Sequence, residues 1–176
     1  MIKQDTLENL VNTSYLAIGS NIGNRKNYIN KAKYYINNLP IHIVKSSRIY
    51  ETPSWPNSKD PKFYNTIIKV KTSLKLKNLF TQIKIIEKKL GRKFKAKKNS
   101  PRTCDIDIID FNGKISKLEV NKKKLLVPHP RMTKRNFVLI PLFEIDKNWI
   151  HPQKKTKIID LIDNLDGISF RSIKLI

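Results

Sequence analysis

The sequence predicts an α+β protein, a ferredoxin-like sandwich of β-α-β-β-α-β order with C-terminal additions. Three observations predict it. Short apolar runs bounded by Gly, Pro and Asn recur as strand signals. Between them lie two longer stretches with an apolar stripe at helical period. The only Gly-rich turn, Gly19-Ser-Asn-Ile-Gly23, follows the first strand, yet it is neither a dinucleotide fingerprint nor a Walker A loop, because no Gly-Lys-Ser/Thr follows. Any nucleotide must be held another way. With 176 residues and no internal repeat or dividing linker, one domain over 1–176 is expected.

Taken in order, Met1–Thr13 carries acidic residues and no apolar h-region, so it reads as a flexible extension and not a secretory signal. Ser14–Gly19 is a buried strand. Asn24 caps a helix running to about Asn38, with Ile29, Ala32, Ile36 and Leu39 as its stripe, and Pro40 stops it. Ile41–Tyr50 reads as a second strand, followed by the rigid loop Glu51-Thr-Pro-Ser-Trp-Pro56, and Phe63–Lys71 as a third strand. In the helix over about Leu76–Leu90, residues Leu76, Leu79, Phe80, Ile83, Ile86 and Leu90 share one face, and Glu87 falls in its middle. An isolated buried carboxylate is very costly, so Glu87 should pair with an arginine, Arg102 being the expected partner; the alternative is a side chain that snorkels out at the helix end. Gly91 supplies a left-handed cap. The lysine-rich loop Arg92–Asn99 has no apolar period and should be mobile, able to close over a bound anion.

The stretch Ser100–Asp110 carries the chemistry. Asp105 and Asp107 alternate with Cys104, Ile106 and Ile108, so on a strand both carboxylates face one way and the apolar residues the other. A divalent cation would relieve their repulsion, and Mg²⁺ suits one or two carboxylates completed by waters and phosphates. Arg102 could clamp a phosphate nearby. A solvated acidic edge strand is the competing reading. Asn112-Gly113 then marks a tight turn. Leu125–Pro130 is extended, with His129 between two prolines. Thr133 caps a short helix through Leu139 that carries Arg135 and Phe137, and Lys157–Leu165 forms a last helix ending near Gly167.

The formal charge of +22 invites a nucleic-acid reading. Of 36 basic residues, however, only seven are Arg, and Ile and Asn are abundant too. Residues with A/T-rich codons dominate, so genome composition accounts for the excess. The densest runs, Lys88–Lys98 and Lys122–Lys124, flank the acidic strand and fit a polyphosphate better than a duplex. No nucleic-acid partner is therefore expected. No segment approaches the roughly 20 apolar residues of a membrane span. The single cysteine, Cys104, has no internal partner, which fits a reducing cytoplasm.

Six motifs in series carry a resemblance: Gly19-Ser-Asn-Ile-Gly, Glu51-Thr-Pro, Phe63-Tyr-Asn65, Gly91-Arg92, Pro101-Arg-Thr-Cys-Asp-Ile-Asp-Ile108 and Val127-Pro-His129. Together they resemble the 6-hydroxymethyl-7,8-dihydropterin pyrophosphokinases of folate biosynthesis, over about Tyr15 to Ile145. The resemblance implies a ferredoxin-like core and transfer of the β,γ-pyrophosphoryl group of ATP to the pterin hydroxymethyl oxygen, with AMP released. It implies two Mg²⁺ ions on Asp105 and Asp107, and phosphate contacts from Arg92 and Arg102. Nucleotide contacts are implied for His129 and Arg135, and an adenosine pocket for Ile108 and Lys124; Glu87, as the partner of a site arginine, is expected with these nucleotide-site residues. The pterin would lie between Phe63 and Phe137, read at its edge by Asn65, with further contacts from Thr52, Pro53 and Trp55. A monomer is expected.

Several positions depart from the family pattern. Phe94, Asn99, Leu126 and Pro130 stand where a basic residue, a tryptophan, a small hydroxyl residue and an aromatic are frequent, so a looser closure with activity retained is expected. The alternative reading is a ferredoxin-like RNA-binding module, whose aromatic-rich signature is not visible in the chain.

Overall fold

The computed structural model describes residues 11–54, 57–92 and 100–176. The chain runs β1 (Asn12–Ser20), α1 (Arg25–Asn37), β2 (Ile41–Ser46), β3 (Tyr50–Thr52), β4 (Phe63–Thr72), α2 (Leu76–Lys89), β5 (Asp105–Phe111), β6 (Ser116–Val120), β7 (Lys123–Val127), α3 (Asn136–Ile145), α4 (Ile158–Asp163), α5 (Gly167–Ser172) and β8 (Lys174–Leu175). The sheet order is β5-β1-β4-β3-β8, with β2 also on β4, and every pairing is antiparallel. Its β5-β1-β4-β2/β3 part has the predicted βαββαβ connectivity.

Both faces of the sheet are covered. On one, Leu16, Ile18, Ile68, Ile106 and Ile108 pack against Ile29, Ala32 and Ile36 of α1 and Leu79, Ile83 and Ile86 of α2. On the other, Tyr15, Ile67 and Ile109 pack against Val138, Leu139 and Leu142 of α3 and Ile158 and Leu161 of α4. The helices α3 and α4 thus bury one end of the second face. The other end, where β5 turns Asp105 and Asp107 outward, stays open.

Four expectations need correcting. The first strand begins at Asn12, because Asn12 and Thr13 pair with Thr72 and Lys71, so they are not part of a loose extension. The second strand is two, β2 and β3. Between them the Ser47 hydroxyl accepts from the Ile67 N–H at 2.9 Å, so a side chain takes over a ladder bond and the strand breaks. Leu125–Val127 is extended as expected, and it pairs as part of β7 with β6 in a hairpin turned by Asn121 and Lys122 at positive φ. At the C-terminal end, one 3₁₀ turn (Met132–Lys134) holds Thr133, and α3 starts only at Asn136. Gly167 opens α5 and does not close α4, since Asp166 accepts from the Ser169 N–H at 2.7 Å as an N-cap. The Asn24 cap and the left-handed Asn112-Gly113 turn are as expected.

His151 sits buried on the connection between α3 and α4, where its Nδ1 accepts from the backbone N–H groups of Gln153 (3.2 Å) and Lys154 (3.1 Å). Burial first, then the Lys154 charge, pushes its pKa down. The unfolded chain therefore takes up a proton first, near pH 6.5, and the stability held above that pH is lost as pH falls through the folded pKa. Denaturant midpoints should fall more steeply from pH 7 to pH 5 in the wild type than in His151→Gln. Parallel curves would remove the role.

Candidate active site

The open end of the second sheet face forms a cavity of about 660 Å³. Its floor is made by Ala17 and Gly19 of β1, Phe63 and Asn65 of β4, and Asp105 and Asp107 of β5. Strand register explains the grouping, because Gly19 is paired with Asn65 on one side and with Asp105 on the other. Gly19 is needed for its lack of a side chain: a Cβ there would lie 3.0 Å from Asn65 Oδ1 and 3.5 Å from the Phe63 ring. Arg92, Arg102, Arg131, Lys134 and Arg135 join the walls, so five cations surround two carboxylates.

The cap of α2 sets the electrostatics. Gly91 adopts φ +85°, and the Arg92 N–H donates to Glu87 O at 3.0 Å, a Schellman-type closure. It folds the chain back so that the Arg92 guanidinium binds Glu87 and Asp105 at once. Glu87 is fully buried and also receives Lys84 at 3.0 Å and the Ile106 N–H at 2.7 Å. Glu87 is thus paired with an arginine, as the sequence demanded, but with Arg92 and not Arg102. Arg102 lies on the opposite oxygen of Asp105, Nε to Oδ2 at 2.8 Å. It is kept there by Asn21, whose Oδ1 accepts from the Arg102 N–H (2.7 Å) and whose own N–H donates to Arg102 O (3.1 Å). The Gly19–Gly23 turn therefore clasps the arginine-bearing segment that leads into β5.

Burial pushes the Asp105 carboxyl upward, but Arg102, Arg92 and Lys84 together pull it down further, so it stays ionised. Burial raises Glu87, and Lys84 and Arg92 offset only part of that. Asp107 faces Arg135 at 3.5 Å and His129 Nε2 at 3.7 Å. Burial lowers the His129 pKa more than Asp107 raises it, which favours a neutral imidazole.

Across the cavity the Asn65 amide donates to Thr52 Oγ1 at 2.9 Å, and both residues are buried. That bond fixes which way the amide points and leaves its second N–H and its oxygen to a ligand. Phe63 and Phe137 are only partly buried. Each carries an arginine over its ring, Arg102 at 5.2 Å and Arg135 at 5.4 Å. Pro53 lines the same wall.

The structure thus brings together Arg92, Arg102, Asp105, Asp107, His129, Arg135, Thr52, Pro53, Phe63, Asn65 and Phe137. It does not bring Ile108 or Lys124 to the cavity: Ile108 points into the core beneath the sheet, and Lys124 is exposed on the hairpin opposite Glu119. Glu87 sits behind Asp105 and supports it. Trp55, Phe94 and Asn99, with the rest of loop 93–99 and residues 1–10, lie outside the described residues. Sequence reasoning missed Asn21, Lys84, Arg131, Lys134, Ser169 and Ser172. Lys84 was findable as the i−3 neighbour of Glu87, and Arg131, Lys134 and Arg135 as a basic cluster at helical spacing.

A family model described as 7,8-dihydro-6-hydroxymethylpterin-pyrophosphokinase (HPPK) matches residues 15–147. The chain belongs to the HPPK family. It is 41% identical over 140 residues to the 2-amino-4-hydroxy-6-hydroxymethyldihydropteridine pyrophosphokinase of Aquifex aeolicus, covering 80% of this chain and 84% of that one. It is 38% identical over 138 residues to the folic acid synthesis protein fol1 of Pneumocystis carinii, covering 78% of this chain but only 18% of that longer protein. A Plasmodium falciparum HPPK-DHPS crystal structure with pterin and p-hydroxybenzoate superposes with a TM-score of 0.73 at 15% identity, over 93% of this chain and 47% of that chain. The fold is therefore the one HPPK domains share. HPPK membership makes the chain an enzyme of the pyrophosphokinase class in folate synthesis, and the RNA-binding alternative is not favoured.

Proposed function

We propose that the protein transfers the β,γ-pyrophosphoryl group of ATP to the hydroxymethyl oxygen of 6-hydroxymethyl-7,8-dihydropterin, releasing AMP. The observation that carries this reading is the Gly19 register, which sets a ring-binding pair, Phe63 and Asn65, and a carboxylate pair, Asp105 and Asp107, in one cavity.

Among the described residues no group of three His, Cys, Asp or Glu gathers as a metal cage. Mg²⁺ does not need one, since one or two carboxylates suffice when waters and phosphates complete the shell. Asp105 and Asp107 offer hard oxygen donors on one side of β5, and Asp105 is held ionised. The donor set fits Mg²⁺, and we place two ions there. Asp105 and Asp107 would hold them, and the chemistry supplied when they are bound is neutralisation of phosphate charge and Lewis-acid polarisation of the phosphate under attack.

The chain's own residues do the rest by positioning. Arg92 and Arg102 approach from either side of Asp105 and grip the transferring phosphates. Arg135 and neutral His129 hold the nucleotide's remaining phosphate and ribose oxygens. Phe63 and Phe137 clamp the pterin ring, a stacking gain of about 0.5–1.5 kcal/mol per pair beyond burial. Asn65, oriented by Thr52, reads the ring's polar edge. The acceptor oxygen bonds to the β-phosphorus as the bond from that phosphorus to the α,β-bridging oxygen breaks. The bridging oxygen leaves with AMP and the hydroxyl proton passes to solvent, and because the transition state is loose no strong protein base is required. A monomer acting in the cytoplasm is part of the same proposal; no helix among the described residues is long and apolar enough to cross a membrane.

Incubation with ATP, Mg²⁺ and the hydroxymethyl-dihydropterin should yield AMP in strict dependence on the pterin. Formation of ADP, or turnover indifferent to the pterin, would overturn the assignment.

A further inference from the structure

The last eleven residues lie beyond the matched family region, yet they reach both walls of the acceptor end of the cavity. On one wall, the Asn136 amide donates to Ser169 O and, at 3.0 Å, to Ser172 Oγ. Its Oδ1 accepts from the Phe137 N–H at 2.6 Å. Asn136 therefore ties the first turn of α3, with its ring-stacking Phe137, to α5. On the other wall, β8 pairs with β3 in the register Tyr50 with Leu175 and Glu51 with Lys174, and the Ile176 N–H donates to Ile49 O at 3.0 Å. The next residues after that edge are Thr52 and Pro53. Ser169 and Ser172 themselves line the cavity.

The energetic pattern separates this segment from the core. None of the six residues of α5 is buried, and β8 is exposed. A segment that buries so little apolar surface adds little to folding. What it does make outside itself is a set of directed bonds to Asn136 on one side and to β3 and the adjoining Ile49 on the other.

Resting on the pterin reading above, we propose that Asp166–Ile176 is a strap that sets the width of the acceptor slot. Asn136 is its positioning residue, and Ser169 is part of the wall that limits acceptor size. The strap holds Phe137 on one side and the Thr52–Pro53 edge on the other at a fixed separation, so the ring enters a slot already formed. Loosening it widens the slot while Arg92, Arg102 and Asp107, which lie on β5 and between α2 and β5, keep their places at the phosphate end.

The test uses full-length chains bearing Asn136→Asp, Ser172→Ala or Ser169→Leu. Asn136→Asp keeps the size of the side chain and its acceptor for the Phe137 N–H but loses the donor to α5. Steady-state kinetics should show KM for the hydroxymethyl-dihydropterin raised about tenfold in Asn136→Asp and severalfold in the other two, with KM for ATP and kcat within twofold of wild type. Equilibrium titration with the intrinsically fluorescent 6-hydroxymethylpterin should show the same ranking without turnover, and melting temperatures are measured alongside. Unchanged acceptor KM in Ser172→Ala and Ser169→Leu overturns the strap, as does an equal rise in both KM values. If Asn136→Asp fails to fold, the two serine variants decide the matter alone. A wild-type chain that neither binds the pterin nor releases AMP overturns the underlying reading and this one together; a wild type that does both, with unchanged variants, overturns only the strap.

Discussion

Replacing Asp107 or Asp105 by alanine should lower AMP release by at least about 10³-fold at saturating substrates, with the fold retained. Removing a single preorganised charge from a transition-state site commonly costs 10²–10³-fold. In the proposed site the lost carboxylate is also one of the two that would hold the metals, so the larger end of the range applies. The stability cost should be small. Asp105 and its arginines are all partly exposed, so solvent screens what each pair contributes, and Arg92 keeps Glu87 when Asp105 is gone. The measurement is pterin-dependent AMP formation across a Mg²⁺ titration, paired with a melting curve. Near-normal turnover in either variant would refute the metal role, and a collapsed melting temperature would assign the carboxylate to folding.

Glu87→Ala should do the reverse, damaging stability as much as catalysis. The side chain is fully buried at the end of α2 and satisfies the Ile106 N–H, Lys84 and Arg92. Its removal leaves a buried N–H unpaired and two cations without their shared anion. A loss of about 2–3 kcal/mol follows from such an unsatisfied network, which for a chain of this size is about 4–12 °C in melting temperature. Turnover should fall as well, because Arg92 loses the anchor that would aim it at the phosphates in the proposed reaction. Glu87→Gln separates the two effects. It preserves an acceptor for the Ile106 N–H and should recover most of the stability, while Arg92 stays loosely held and kcat stays low. If the glutamine variant matched wild type in both respects, the charge at position 87 would have no catalytic part.

What could be read from the sequence, and what could not, follows from the range of the interactions. Asp105 and Asp107 were legible because period two is a property of the strand alone. Gly91 was legible as a cap, and Glu87 as a carboxylate needing a cation. The identity of that cation was not, because it depends on how far the Schellman turn swings Arg92 back and on Asn21 holding Arg102 away. The break at Ser47 left no signal either, since a serine inside a β-rich run looks like any other strand residue. The β6–β7 turn lacks glycine, with Asn121 and Lys122 taking positive φ, so its hairpin was hidden. Gly167 was misread because glycine after a helix is usually a C-terminal cap; here the preceding aspartate makes it the first residue of the next helix. The nucleotide contacts expected at Ile108 and Lys124 rest on resemblance, and the cavity does not include them.

Gly19 has one more consequence. Adjacent strands lie about 4.8 Å apart, so the residue that separates Asn65 from Asp105 holds them roughly 9–10 Å apart across the sheet. That distance is written in backbone hydrogen bonds and cannot be retuned by exchanging side chains. On the proposed function the sheet then acts as a ruler: acceptors whose reactive arm spans from the Asn65 amide to the Asp105 and Asp107 carboxylates fit it, and a longer or shorter arm should raise the acceptor KM whatever the ring chemistry.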